Sequence, residues 1–338
     1  MITVAINGFG RIGRRVFRLL QDHDNIQVVA INDLANARTL SHLLKYDSIH
    51  GIFNATVSYN DHHIIVNDHP VHLLNHKHPK DIDWSPYHVD FVIESTGKFK
   101  TKTDLEYHIK NGAKRVILSV PPIEDDIKTI VMGVNDEIID GSETIVSNAS
   151  CTTNNAAPMI DIINTLCGIN QAYITTVHSY TTDQSLHDQP HHDLRRARAA
   201  GQSIVPTTTG AAKALTKIFP ELSDAIGGCG IRVPVANGSL TDITFNVKRH
   251  VTIEDINNAF KSASKNKYKG ILEYTEDPIV SIDIVGNSHS CIFDSQMTSV
   301  IGNMVKIIGW YDNETGYSSR IIDLLCNLSE KNNVLSKK

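Results

Sequence analysis

Short apolar runs alternate with stretches of helical spacing through the first half of this chain. Ile2–Ile6 is an apolar run, and Arg11–Asp22 follows with Ile12, Val16, Leu19 and Leu20 on one helical face. Ile26–Ile31 reads as a strand, Thr39–Leu44 as a helix, and Phe91–Glu94 and Arg115–Leu118 as buried strands. Such alternation predicts a parallel sheet covered on both faces. Thr56–Tyr59 and His63–Leu74 read as antiparallel hairpin material. The second half changes character. Tyr173–Tyr180, Ile231–Val235, Leu240–Lys248, Ile279–Val285 and Val305–Trp310 are strand candidates rich in β-branched residues, interrupted by helical patterns at Thr209–Phe219 and Ile253–Ser264. They predict a large, mainly antiparallel sheet with helices on one side. A last apolar helical stripe starts at Gly316 and reaches Leu328.

Composition narrows the class. A length of 338 residues exceeds what one core usually serves, so two domains are expected. The net charge of −5 is spread without a Lys/Arg block, so no nucleic-acid or membrane partner is expected. No run approaches the ~18 apolar residues of a membrane span, and MITVAINGFG lacks the features of a signal peptide. The cysteines are Cys151, Cys167, Cys229, Cys291 and Cys326, odd in number and without a C-x-x-C pair. That argues against a disulfide framework or a zinc ribbon and predicts a reducing, cytoplasmic setting. His187, His191 and His192 lie beside Pro190 without a completing ligand, so no metal site is expected.

Gly8-Phe9-Gly10-Arg11-Ile12-Gly13 fits G-x-G-x-x-G between a strand and a helix, and Asp33 ends the second strand 20 positions after Gly13. That is the dinucleotide-binding arrangement. Gly8 permits the tight turn, Gly10 admits a pyrophosphate, and Gly13 lets helix and sheet approach. Asp33 suits the adenosine ribose hydroxyls and repels a 2′-phosphate, which points to NAD. The fold class expected is α/β: a Rossmann-type dinucleotide-binding domain over 1–150, completed by a C-terminal helix over 316–338, plus an α+β catalytic domain over 151–315.

SNASCTTNN places Cys151 between Ser150 and Thr152, ahead of the apolar stripe Met159, Ile160, Ile163 and Leu166. Ser150 reads as an N-cap, which puts Cys151 in a first helical turn that favours a thiolate. Pro158 within that stripe predicts strain or a bend. His178 ends an apolar strand and is the candidate base. Arginines in Asp193–Arg198, the hydroxyls of Thr208-Thr209-Gly210, and Arg232 suit phosphate binding or simply surface charge.

SNASCTTN, HSYTTDQ, DLRRARAA, PTTTGAAKA, WYDNETGYS, NGFGRIGR and HLLKYDSIHG together resemble the signatures of phosphorylating glyceraldehyde-3-phosphate dehydrogenases, in order and over nearly the whole chain. The resemblance implies a glycolytic, NAD-dependent oxidation of an aldose phosphate with inorganic phosphate, in a cytoplasmic homotetramer. It implies Cys151 as nucleophile and His178 as base. It assigns phosphate binding to Ser150, Thr152, Thr181, Arg195, Thr209, Gly210 and Arg232. Arg11, Ile12, Asp33 and Asn313 would contact the dinucleotide, Ser119 and Tyr317 would lie near the nicotinamide, and Lys77 stands where many members carry an arginine. Asn155 replaces the usual second cysteine, and 179–203 would form a loop near a neighbouring subunit's cofactor. Ionising a thiol of pKa ~8.5 fully near pH 7.5 gains only ~10-fold, whereas a positioned base is worth ~10²–10⁴, so the mechanism needs His178 as well as Cys151. A Cys–His hydrolase would not need the glycine motif. Erythrose-4-phosphate dehydrogenase is the nearer alternative, opposed by Thr181 and Asp183. Intact Cys151, His178 and Arg232 oppose a catalytically dead binding protein.

Overall fold

The computed structural model describes residues 1–335, and the chain divides into two units. The first comprises Met1–Ile130, Asp136–Ala149 and the chain from Ser318. Its elements are β1 (Ile2–Asn7), α1 (Arg11–Leu20), β2 (Ile26–Asn32), α2 (Ala37–Lys45), the short β3 (Tyr46–Asp47) and β4 (Gly51–Ile52), β5 (Val57–Asn60), β6 (His63–Val66), β7 (His69–Leu74), β8 (Phe91–Glu94), α3 (Lys102–Lys110), β9 (Arg115–Leu118), β10 (Lys128–Thr129) and β11 (Ile145–Ser147). The main sheet runs β10-β11-β9-β8-β1-β2-β7-β6-β5. Every pair from β10 to β7 is parallel, and β7-β6-β5 is antiparallel. Val4, Ala5 and Ile6 are completely buried, as a central parallel strand covered on both faces requires. The β6–β7 hairpin turns through Asn67 and Asp68 at φ 49° and 66°, left-handed values that match the twist of a two-residue hairpin. Strand order reverses beside β1: the chain builds outward through β2 and β7, then crosses to β8, β9 and β11. A ligand crevice opens at the carboxyl ends of strands at such a reversal.

The second unit comprises Val131–Asn135 and Ser150–Tyr317. It contains α4 (Cys151–Cys167), β12 (Ile169–Ser179), β13 (Val205–Thr207), α5 (Ala211–Ile218), β14 (Ile226–Val233), β15 (Ser239–Val247), α6 (Ile253–Lys265), β16 (Leu272–Thr275), β17 (Cys291–Asp294), β18 (Ser299–Ile301), β19 (Met304–Tyr311) and the start of α7 (Thr315–Leu335). Its sheet runs β13-β14-β12-β15-β19-β17-β16, with β18 also on β19. Only β12–β14 and β16–β17 pair in parallel among the described residues. On β15, Thr241, Ile243, Phe245 and Val247 are fully buried while alternate positions open outward, and α4 packs against β15 and β19.

One expectation needs correction. Ile279–Val285 is a series of turns and not a strand. The Val280 N–H donates to Asp283 Oδ2 at 2.7 Å, a local bond that competes with a sheet ladder. Val280 and Ile282 remain 55% and 72% exposed, so the period-2 pattern has no sheet face to fill. α4 runs without interruption through Pro158. The final helix, expected over 316–338, is α7, and residues 336–338 lie outside the described residues.

Candidate active site

The first unit shapes a cradle from the glycine motif. Gly8 has φ +93°, and a Cβ there would lie 2.7 Å from the Thr96 nitrogen. A Cβ on Gly13 would lie 2.2 Å from the Gly8 carbonyl oxygen. Gly10 differs: it caps α1 in an extended conformation, and nothing lies within 4 Å of where its Cβ would be. The helix N-terminus therefore stays open, with the N–H groups a pyrophosphate needs. Asp33 follows β2. Its Oδ2 accepts the Phe9 N–H at 2.8 Å and its Oδ1 the Ala35 N–H at 3.0 Å, so the carboxylate also fastens the glycine turn. These features fit a dinucleotide.

The other cofactor candidates differ in what they offer. The Arg11 guanidinium is committed to Asp47, at 2.7 and 3.1 Å. Burial opposes ionisation of Asp47, but the His50 and Ile49 N–H groups and Arg11 outweigh it and bring its carboxyl down to about 2. Arg11 thus offers a ligand mainly its place at the helix start. Ile12 is half-buried in the first turn of α1. Lys77 is exposed after β7, on a loop tied back by Asn75 Nδ2 to the Asp33 carbonyl (3.0 Å) and by the His76 N–H to Asn32 Oδ1 (2.8 Å). Ser119 is buried just after β9.

In the second unit α4 begins at Cys151 because Ser150 caps it, its hydroxyl accepting the Thr153 N–H at 3.1 Å. Ala149, just before the cap, is held at φ +57°, a strained value for a residue with a Cβ. Cys151 Sγ lies 3.4 Å from Nε2 of His178 on β12. His178 pairs in register with Arg232 on β14, which explains how residues 54 positions apart meet. Arg232 Nη1 lies 2.5 Å from His178 Nδ1 and 3.0 Å from the Ser179 carbonyl oxygen, itself 2.7 Å from Nδ1. A guanidinium can only donate and a carbonyl oxygen can only accept, so Nδ1 is offered both roles: with Arg232 on it, Nδ1 presents its lone pair and the proton sits on Nε2, and with Arg232 withdrawn Nδ1–H donates to the Ser179 carbonyl.

The electrostatics correct the expectation of a thiol lowered by the helix start. Burial pushes the Cys151 thiol up, against the opposing pull of Arg232 and the Thr152 hydrogen bonds. Burial, then Arg232, lowers His178 to about 3, against the Ser179 carbonyl. The resting pair is neutral thiol and neutral imidazole.

The anion-binding candidates separate similarly. Thr152's hydroxyl is taken by the Tyr311 hydroxyl at 2.9 Å, which also meets Thr176 at 2.9 Å. Thr209 Oγ1 accepts the Ala211 N–H at 3.2 Å, and Gly210 caps α5 with open space around it. Thr181 is half-buried, and Arg195 is exposed with its backbone N–H on Asp193. Arg196, which sequence reasoning did not single out, turns inward to Asp183 (2.6 Å), Thr207 (2.9 Å) and the Thr208 carbonyl (3.2 Å). Asn313 Oδ1 accepts from Ser179 Oγ (2.8 Å) and Ser239 Oγ (3.0 Å), and Tyr317 is buried in the first turn of α7. Tyr311, Ser179 and Ser239 were also missed. Tyr311 sat inside the WYDNETGYS signature and Ser179 inside HSYTTDQ, whereas Ser239 gives no sequence signal of its own.

Comparison with known proteins matches residues 2–102 to the glyceraldehyde 3-phosphate dehydrogenase NAD binding domain and residues 150–313 to the C-terminal domain of the same family. The chain is 49% identical over 333 residues to glyceraldehyde-3-phosphate dehydrogenase 1 of Bacillus cereus, covering 98% of this chain and 99% of that protein. It is 51% identical over 326 residues to glyceraldehyde-3-phosphate dehydrogenase 2 of Streptomyces avermitilis, covering 96% and 97%. With glyceraldehyde-3-phosphate dehydrogenase of Geobacillus stearothermophilus it shares 48% identity over 332 residues, covering 98% and 99%.

Proposed function

The chain belongs to the glyceraldehyde-3-phosphate dehydrogenase family, and on that premise we propose that Cys151 and His178 carry out the NAD-dependent oxidative phosphorylation of D-glyceraldehyde 3-phosphate to 1,3-bisphosphoglycerate. The observation that carries the assignment of roles is the 3.4 Å approach of Cys151 Sγ to His178 Nε2 at the start of a capped helix. The erythrose 4-phosphate alternative is not favoured by these relatives. Residues 1–150, with the C-terminal helix, serve the cofactor, and 151–315 the chemistry.

NAD, when bound, supplies the acceptor for a hydride. The residues do the rest. A substrate phosphate drawn to Arg232 takes the guanidinium off Nδ1. The imidazole then holds its proton on Nδ1 against the Ser179 carbonyl, and the Nε2 lone pair faces Sγ. Nε2 accepts the thiol proton as sulfur attacks the aldehyde carbon, and returns it to the carbonyl oxygen to give a thiohemiacetal on Cys151. His178 removes that hydroxyl proton as the hydride departs, leaving a thioester. An oxygen of inorganic phosphate attacks the thioester carbon, the C–S bond breaks, and acyl phosphate leaves. Ser150, Thr152, Thr181, Arg195, Thr209 and Gly210 are assigned to the two phosphates, Thr152 through its backbone N–H. Arg11, Ile12, Asp33, Lys77, Ser119, Asn313 and Tyr317 are assigned to the dinucleotide.

A homotetramer is the assembly proposed. Leu186, Leu194 and Ile204 are 80%, 82% and 70% exposed, and neighbouring subunits would cover such apolar side chains. The loop 179–203 would then lie near a neighbour's cofactor. All five cysteines are free, which supports a cytoplasmic setting, and no helix among the described residues is long and apolar enough to cross a membrane. The test is NADH formation from glyceraldehyde 3-phosphate and from erythrose 4-phosphate, with and without inorganic phosphate. Phosphate-dependent turnover of the first is expected. Turnover indifferent to phosphate would refute the assignment.

A further inference from the structure

The end of β8 carries a carboxylate for which the chemistry above has no use. Glu94 is completely buried, and four donors converge on it. Asn7 Nδ2 lies at 2.5 Å, His108 Nε2 at 3.2 Å, the Thr96 N–H at 2.9 Å and the Thr96 hydroxyl at 2.5 Å. The tautomer of His108 is fixed from its other side. The indole N–H of Trp84 can only donate, and it lies 3.0 Å from His108 Nδ1, so Nδ1 accepts and Nε2–H is aimed at Glu94. The Thr96 hydroxyl accepts the Lys98 N–H at 3.1 Å and keeps a hydrogen free to donate to Glu94. Asn7 Nδ2, His108 Nε2 and the Thr96 N–H can only donate here, so the pocket is built to receive a negative charge. No lysine or arginine ion pair reaches it among the described residues.

Its place in the sheet matters. Asn7 ends β1, Asn32 ends β2, and Asn32 Nδ2 donates to Asn7 Oδ1 at 2.7 Å, so the carboxylate ties together the strand ends that rim the crevice. The Glu94 carbonyl also receives the Ser119 N–H at 3.0 Å. Asp33 marks the β1-β2-β7 half for adenosine. The β8-β9-β11 half is the one left for the nicotinamide mononucleotide. Glu94 ends the first strand of that half.

We propose that Glu94 is a positioning and charge-selecting residue whose fixed negative charge beneath the nicotinamide half favours the cationic oxidised ring over the neutral reduced ring. The unit thereby holds NAD⁺ and lets NADH go. This rests on the nicotinamide dinucleotide reading. A unit charge ~10 Å away at an effective dielectric of ~20 discriminates roughly five- to twenty-fold.

The experiment is calorimetric titration of the full-length protein with NAD⁺ and NADH, for wild type, Glu94→Gln and Glu94→Asp. Glu94→Gln should lower the ratio of NAD⁺ to NADH affinity by roughly five- to twenty-fold on the arithmetic above, because the carboxylate's repulsion of the pyrophosphate is common to both cofactors and cancels in the ratio. Glu94→Asp should preserve the ratio of the two affinities even where both fall. An unchanged ratio in Glu94→Gln, whether both affinities rise, fall or stay, would overturn the proposal and leave Glu94 a structural residue only. A second measurement needs no variant: wild type should bind NAD⁺ more tightly than its uncharged benzamide isostere by a similar factor, and equal affinities would overturn the proposal. Wild type that binds none of these dinucleotides would sink the cofactor reading itself, a separate outcome.

Discussion

Replacing Arg232 with leucine tests how the base is controlled. The guanidinium now sits 2.5 Å from His178 Nδ1, where it forbids a proton on that atom and repels an imidazolium. At an effective dielectric of ~20, unit charges about 4–5 Å apart repel by roughly 3–4 kcal/mol, or two to three pKa units, and solvent screening in a half-open site reduces that to one to two units. His178 titrates at about 3, with burial the larger cause and Arg232 the second. Arg232→Leu should therefore raise the midpoint by one to two units, still below the ordinary histidine value because burial remains. The proton should also move from Nε2 to Nδ1. Nitrogen-15 NMR of labelled histidine reads both quantities, with His178→Asn identifying the signal. Adding inorganic phosphate to the wild type should produce the same change of tautomer, and adding it to the variant should produce none. An unchanged tautomer and midpoint in Arg232→Leu would show that Arg232 binds anions without governing the base, and the substrate-gated mechanism would fail.

Further outcomes follow from the same geometry. His178→Asn should slow NADH formation by ~10²–10⁴ and also slow alkylation of Cys151 by iodoacetamide; unchanged alkylation would mean that Nε2 does not receive the thiol proton. Wild type should favour NAD over NADP by roughly 30- to 150-fold in kcat/KM, and Asp33→Asn, which can still accept the Phe9 N–H, should narrow the gap; near-equal values in the wild type would refute the ribose assignment. Peroxide should convert Cys151 to sulfenic acid or a mixed disulfide, because Asn155 stands one turn further along α4 and offers no thiol. A dominant intramolecular disulfide in the mass spectrum would contradict that.

The sequence made some parts legible because their causes are local. The β1–α1–β2 unit could be read from three glycines and Asp33, since the turn, the helix start and the strand end lie within one short stretch. The cap at Ser150 is similarly local. Other parts depend on who stands alongside. Ile279–Val285 has a strand's alternation, but nothing pairs with it, and Asp283 closes a turn instead. β14 opens with Ile226-Gly227-Gly228, a poor strand sequence, yet β12 supplies a partner in parallel register and makes it one. The thiol's direction was misread for the same reason. A helix N-terminus is visible in sequence, whereas the burial that outweighs it comes from distant chain. Glu94 could be seen to close a strand read as buried, but its partners could not, because Asn7 and His108 come from β1 and α3.

Asn155 also bears on how this protein can evolve. Its amide nitrogen donates to the carbonyls of Ser290, Gly309 and Trp310 at 3.2, 3.3 and 3.2 Å, and so fastens α4 to the chain around β17 and β19. A thiol is a weak donor and could not replace those bonds, in which two amide hydrogens are shared among three carbonyls, and a carbonyl left unfilled costs about 1–3 kcal/mol. That is a large share of the stability margin of an ordinary domain. Exchange of asparagine for cysteine here would set the loss of those donated bonds against the relief of the Asn155 Oδ1, which is buried without a partner among the described residues. Which of the two side chains this turn of the helix prefers is thus set by the backbone around Ser290 and Trp310, and a change there would shift the preference.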